Sequence, residues 1–289
     1  MAPVSGGESR AAPLNGEPDL SRFDTSVAHP ARIWNYWLGG KDNFAADRAA
    51  GDHVREAAPF IAGIARADRA FLASVVNHLA AELGIRQFLD IGTGLPAANN
   101  THEVAQRSAP ESRIVYVDND PVVLAHARAL LTSTPEGATA YIDADARDPG
   151  KILTRAARTL DFSQPVAVML LGILLFIPDA DDPWMITAQL MDALPPGSYL
   201  AVSHGASDIQ AEAVATASSR YNQHSAASMR LRTAAEFSRF FDGAELVAPG
   251  VVPINHWRPG PLPDAGQEEA LPAYAALGRK QRPGAAAAG

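Results

Sequence analysis

The chain has 289 residues, 47% hydrophobic and 19% charged, a balance typical of globular proteins and a length suited to one large α/β domain with additions. A formal net charge of −8, with no dense basic run, argues against a general nucleic-acid or membrane surface, since phosphates and anionic lipids select Lys and Arg. The absence of cysteine excludes disulfides, thiolate zinc sites and cysteine nucleophiles, and suits a reducing cytoplasm.

The opening residues, MAPVSGGESRAAPLNGEPDL, lack the apolar centre of a signal peptide, and the longest apolar run, Val166 to Ile177, is too short to span a bilayer. A cytoplasmic protein is expected. Residues 1–24 and 281–289 are small, polar and rich in Pro, Gly or Ala, and read as disordered tails. Next comes HPARIWNYWLGGKDNFAADRAAGD, His29 to Asp52. It is not a phosphate loop: no strand precedes it, Asn35 stands where the first glycine belongs, and Asp42 replaces the hydroxyl residue that would hold magnesium. Its Trp34, Tyr36, Trp37 and Phe44 suit either a structural brace or a roof over a ligand.

ADRAFLASVVNHLAAELG places Phe71, Leu72, Val75, Val76 and Leu79 on one helical face, with Gly84 as a left-handed cap. Short runs of continuous apolarity follow at QFLDI, IVYVD (Ile114 to Asp118), TAYID (Thr139 to Asp143), VAVMLL (Val166 to Leu171) and YLAVSH (Tyr199 to His204). Such runs predict strands buried on both faces, as in a parallel sheet covered by helices. Asp120-Pro121 and Asp182-Pro183 open helices with a cap and a proline at the first position, and Thr233 to Glu236 has capping-box spacing. ELVAPGVVPI and AYAALG read as closing strands, including an antiparallel edge.

Chemistry enters in FLDIGTGLPAANN. Gly92, Thr93 and Gly94 turn the chain tightly and expose bare backbone to a ligand, and with Ala97 they fit the dinucleotide pattern G-x-G-x-x-A. A nicotinamide-dependent oxidoreductase is therefore a competing reading. Asp90, at the strand end, would repel a pyrophosphate but suits a ligand carrying an ammonium group. Asp118, followed by Asn119, ends the second strand where it can accept from ribose hydroxyls. In YIDADARD, Asp145 can accept from the amine of adenine while the Ala146 amide donates to the ring, although a plain acidic turn is an equal alternative.

Acids after three successive strands, with glycines after the first, form the pattern of class I methyltransferases. The segments HPARIWNYWLGGKDNFAADRAAGD, DRAFL, FLDIGTGLP, NTHEVAQ, VYVDNDPVVLAHARALL, RTAAEFSRFFDG, ELVAPGVVP and HWRPG together resemble a bacterial family of predicted S-adenosyl methyltransferases, from about His29 to Gly278. The resemblance implies an α/β fold with a Rossmann-like, mostly parallel sheet, an antiparallel edge strand, helices on both faces and S-adenosylmethionine as cofactor. With it goes the expectation of a single domain over 25–280, an N-terminal helical lid over 25–66 and a substrate-side insert over 205–232. It brings no substrate; a small molecule accepting at oxygen or nitrogen is expected, and a non-catalytic S-adenosylmethionine-binding protein is the other alternative. Ala97-Ala98-Asn99 departs from the hydroxyl residue and glycine more often found there.

On this reading the His29–Asp52 stretch roofs the cofactor. Arg32 or Arg69 pairs with the methionine carboxylate, for which a guanidinium is suited, while Lys41 and Asn43 face cofactor or acceptor. Direct methyl transfer needs collinear placement more than proton transfer, so a general base is optional; His204, His224 and Tyr221 are the candidates. The eight histidines show no paired metal spacing, and no metal is expected.

Overall fold

The computed structural model describes residues 24–130, 132–260 and 269–281. The expected tails, apart from Asp24 and Gln281, lie outside the described residues. The apolar runs form β1 (Gln87–Ile91), β2 (Arg113–Asp118), β3 (Ala138–Asp143), β4 (Ala167–Leu171) and β5 (Tyr199–Gly205), and the closing runs give β6 (Ala244–Leu246), β7 (Val252–Pro253) and β8 (Ala273–Lys280). They build one sheet in the order β3-β2-β1-β4-β5-β8-β6, with β7 also paired to β8. β1 to β5 run parallel, and β8 is antiparallel to its neighbours.

The antiparallel strand lies one place in from the edge. β8 is buried from Ala273 through Gly278, as an interior strand requires, whereas three-residue β6 exposes Glu245 and Leu246 and forms a short, polar border. Helices cover both faces, because alternate strand residues point to opposite sides. Phe88, Tyr116, Met169 and Ala201 face α1 (Pro30–Trp37), α2 (Ala45–Ala57), α3 (Ile61–Asn77) and α4 (Thr101–Ser108). Leu89, Val117, Val168 and Val202 face α6 (Pro149–Ala156), α7 (Pro183–Asp192) and α9 (Ala234–Ser238).

The punctuation works locally as the sequence suggests. Asp182 caps α7 by accepting from Met185 N at 3.1 Å, and Thr233 with Glu236 forms the capping box of α9. Asp120 takes the Val122 amide at 2.9 Å at the start of α5 (Pro121–Leu130), and its other oxygen lies 3.0 Å from His29 Nδ1. One residue thus starts a helix and ties down the N-terminal segment. Residues 205–232 carry α8 (Ala211–His224), which packs against α2. Among the described residues no helix is long and apolar enough to cross a membrane.

Strand order reverses at β1: the chain leaves β1 toward β2 on one side, and β4 lies on the other. Connections diverge there, so the carboxyl ends of β1 and β4 part and leave a crevice.

Candidate active site

That crevice holds a cavity of about 430 Å³, walled by the ends of β1, β2 and β4, the loop after β3, and α1. The size suits a small molecule or cofactor. Its floor is the β1–α4 turn. Gly92 has φ +76°, and a Cβ there would sit 2.6 Å from Ile173 Cβ. Gly94 has φ +67°, and a Cβ there would meet nothing within 4 Å. The first glycine is fixed by packing; the second leaves bare backbone in open space. Gly94 N donates to Asp118 Oδ2 at 2.9 Å, so the acid of β2 sets the turn of β1. Thr93 Oγ1 donates to Asp90 O at 3.2 Å.

The departure at Ala97-Ala98-Asn99 is accommodated without glycine. Asn99 adopts φ 60°, a conformation asparagine tolerates better than most residues. Arg69 Nη2 holds the carbonyls of Ala98 and Asn99 at 2.8 and 2.9 Å. Arg69 is on the cavity wall, and its Nε is buried without a hydrogen-bond partner.

Two acids dominate this floor. Asp90 accepts from Thr101 Oγ1 at 2.6 Å; burial pushes its pKa up to about 6, with the carboxylates of Asp118 and Asp68 adding to the rise. Asp118 accepts the amides of Gly94 and Asp120, each at 2.9 Å, and burial raises it as well. A carboxylate has about four acceptor positions, so two remain for ligand donors. Asn119 and Ala146 also line the cavity.

Asp145 lines it too, but its lone pairs are committed. Arg147 donates from N, Nε and Nη2 at 2.9, 2.9 and 2.7 Å, and Asn119 adds a side-chain hydrogen bond. Arg147 holds the carboxyl below its usual range. The acidic-turn alternative describes this side chain, and the Ala146 backbone is what the loop presents to a ligand.

The His29–Asp52 stretch divides by helical face. His29, Trp34, Asn35 and Asp42 line the cavity. Arg32 points the other way: buried, it donates to the carbonyls of Asp24 and Val27 and lies 3.4 Å from Asp47. Asn43 is spent on Asn35 Oδ1 and Gly40 O, both at 2.9 Å, and Lys41 is exposed off the wall. Tyr36 bonds Asp52 at 2.7 Å, and Trp37 bonds Gly51 O at 3.2 Å. Arg32, Lys41 and Asn43 thus lie outside the cavity, because the turns of α1 that face it present Trp34, Asn35 and Leu38.

None of the three candidate bases lines this cavity. His204 belongs to the opposite sheet face: its Nε2 accepts from Arg232 Nη1 at 2.8 Å, and its Nδ1 donates to Gly205 O at 2.8 Å. A guanidinium can only donate, which fixes that tautomer. Burial lowers its pKa to about 3, so it cannot take a proton near neutrality. Tyr221 is buried against Phe176, and burial raises its pKa. His224 is exposed at the end of α8 with its ring 4.5 Å from that of His53.

The sequence reading passed over Asp68, His29 and Asn35 as site residues and left Trp34 between brace and roof. For Asp68 a signal existed: Ile61, Ile64, Ala65, Asp68, Phe71, Leu72 and Val75 make one buried helical stripe containing an acid. For α1 none did, because no pattern says which aromatic face meets a ligand.

The arrangement has the chemistry of a cationic ligand bearing hydroxyl donors. Asp90 and Asp118 line its floor, the Nη2 of the nearby Arg69 is already engaged, and the bare Gly94 backbone leaves room for close approach. S-adenosylmethionine matches on each count: sulfonium and ammonium charges, ribose hydroxyls, and a carboxylate for the Arg69 guanidinium on the cavity wall.

The family described as S-adenosyl methyltransferase matches residues 17–281 of the chain. A crystal structure of a DUF574 family protein from Streptomyces avermitilis is 46% identical, with a TM-score of 0.84, over 90% of this chain and 100% of that one. A putative methyltransferase from Thermobifida fusca is 40% identical, with a TM-score of 0.80, over 90% and 97%. The plantazolicin methyltransferase BpumL, solved with a triazolic desmethylPZN analog and SAH, shares the fold at 13% identity and a TM-score of 0.50, over 87% and 96%. No curated protein matches the chain.

Proposed function

The chain belongs to the S-adenosyl methyltransferase family and is an S-adenosylmethionine-dependent methyltransferase, and on that premise we propose that the cofactor lies in the β1–β4 crevice and that the acceptor is a small molecule methylated at oxygen or nitrogen. The observation that carries the placement is the Gly94 amide bound to Asp118, which joins the open glycine turn to a buried acid with two acceptor positions left. Asp118 takes the ribose hydroxyls, Asp90 the ammonium group, Arg69 the carboxylate, and the Ala146 amide the adenine edge.

When bound, the cofactor supplies an electrophilic methyl group on a sulfonium. The chain contributes placement: the glycine turn, Asp90 and Asp118 orient one reactant, and α1 with Trp34 and Asn35 roofs it as a lid that excludes water. The oxidoreductase reading is disfavoured by Asp90, whose buried carboxylate faces the space that a pyrophosphate would occupy. A small acceptor is supported by the size of the crevice and the net charge of −8, which disfavours nucleic acid and membranes as partners; the lack of cysteine supports a cytoplasmic setting.

Calorimetric titration with S-adenosylmethionine, S-adenosylhomocysteine, NADH and NADPH tests the placement. Binding of the first two and silence from the nicotinamides is expected. Tight NADPH binding would return the glycine turn to the dinucleotide reading.

A further inference from the structure

Behind the main cavity lies a second chamber of about 60 Å³, and Trp34, Asp68 and Gly172 belong to the walls of both. Its lining is almost wholly apolar: Ile61 and Ile64 from α3, Leu175 after β4, Val214 and Ala217 from α8, and Ala273 from β8. Gly172, at the end of β4, has φ +62°, and a Cβ there would meet nothing within 4 Å, so backbone alone stands at the passage. The chamber is smaller than the roughly 150 Å³ cavity known to take benzene, and by the same ratio suits a tail of about two to three carbons, such as an isopropyl group.

Asp68 stands at the junction. Its Oδ1 is held by the Ser203 hydroxyl from β5. Its Oδ2 has no hydrogen-bond partner among the described residues and is not sealed from the cavity space. A carboxylate this deep is costly unless a partner arrives. The neighbouring Arg69 favours the charged carboxylate by its own charge but makes no hydrogen bond to it, and its Nη2 bonds the carbonyls of Ala98 and Asn99. With Asp90 and Asp118 on the same cavity, the local potential is negative and repels carboxylate or phosphate acceptors.

We propose that Asp68 recognises the methyl acceptor and that the acceptor is a small alkylamine, its ammonium at Asp68 Oδ2 and its short branched tail in the apolar chamber; the ammonium gives one proton to Asp68 Oδ2, and the nitrogen lone pair so freed attacks the cofactor methyl as the methyl–sulfur bond breaks, leaving S-adenosylhomocysteine and the N-methylated amine. This rests on the methyltransferase reading of the adjoining cavity. Ser203 fixes the carboxylate, so the amine is held at the mouth of the chamber facing the main cavity. Chamber size limits the tail, and the buried acid selects an ammonium over a neutral hydroxyl of the same shape.

NMR titration with isobutylamine, isobutanol and isobutyrate, on protein saturated with S-adenosylhomocysteine, tests this by binding alone. Isobutylamine should bind at least tenfold more tightly than either isostere. Asp68→Asn, which keeps the shape and removes the charge, should weaken isobutylamine at least tenfold and change S-adenosylhomocysteine affinity less than twofold. Ala217→Leu, which fills the chamber from α8, should block the amine with the same indifference to the nucleoside. The proposal is overturned if the wild type does not bind isobutylamine, if isobutanol binds as well, or if Asp68→Asn leaves the amine unaffected. It is overturned too if Asp68→Asn costs as much S-adenosylhomocysteine affinity as amine affinity, for Asp68 would then hold the cofactor. Failure of S-adenosylhomocysteine to bind the wild type, with the amine still sensitive to Asp68→Asn, would instead remove the cofactor reading and leave an amine site standing.

Discussion

Asp90 and His204 are both buried titratable groups at the carboxyl ends of strands of one sheet, yet their surroundings differ. His204 borders the small apolar chamber, but both of its ring nitrogens are bonded. Arg232 donates to it and also bonds the carbonyls of Leu174 and Ile177 and the carboxylate of Asp179, at 3.0, 2.8 and 2.7 Å, with Trp184 and Phe240 near its guanidinium. Asp90 has one side-chain donor, Thr101, and opens on the cavity. Burial shifts both, His204 down to about 3 and Asp90 up to about 6. A shifted pKa therefore does not distinguish scaffold from site in this fold; unspent hydrogen-bonding capacity facing open space does.

The two regions should answer mutation in opposite ways. The largest effect is expected at Arg232→Ala, which strands two buried carbonyls and His204 Nε2: a loss of about 3–5 kcal/mol of stability in denaturant unfolding, with cofactor affinity unchanged in the fraction that remains folded. Gly94→Val does the reverse. Its branched side chain occupies the cradle and strains a positive φ, so S-adenosylhomocysteine binding should fall more than about 100-fold, some 2.7 kcal/mol, while the circular dichroism spectrum persists. Wild-type affinity in that variant would separate the ligand from the glycine turn. Asp118→Ala should weaken binding by about 1.5–3 kcal/mol, part of it through the released Gly94 amide, and unchanged calorimetric affinity would remove Asp118 from the site.

pH gives a smaller, graded contrast. Asp90 has a folded-state pKa raised to about 6, above its unfolded value, so its contribution to the stability of the free protein is present in acid and lost as pH rises through 6. A ligand ammonium favours the ionised form, so affinity for S-adenosylhomocysteine should fall by up to about tenfold per unit below pH 6, while the Asp90 contribution to stability grows. Parallel loss of both would mean that Asp90 is ionised and paired in the free protein. His204, already neutral down to about pH 3, should add nothing to this profile.

Much of the scaffold was legible because buried parallel strands leave continuous apolar runs, and because Asp90 and Asp118 fall immediately at their ends. The glycine turn was legible for the same reason. Side-chain direction was harder. Ser203 and His204 are adjacent, yet strand alternation sends Ser203 toward α3 with Ala201 and His204 toward the α7–α9 layer with Val202. Arg32 was chosen for its charge, but α1 turns it to the buried Asp47, and its neighbours Trp34 and Asn35 meet the cavity. The brace reading of His29 to Asp52 describes one face of α1, where Tyr36 and Trp37 bond to α2; the other face, with Trp34 and Asn35, lines the cavity over which the roof is proposed. Asp145 looked available until Arg147, two residues on, claimed its lone pairs.

Hydrogen exchange with and without S-adenosylhomocysteine tests the central claim most directly, because it reads both regions at once. Ligand should protect Gly92 to Gly94, Asp118 to Asn119 and α1 from Pro30 to Gly40, the lid being the part expected to gain most contacts, and should leave Arg232 to Phe241 unchanged. Protection confined to the Arg232–Phe241 region, or none at the glycine turn, would contradict the account.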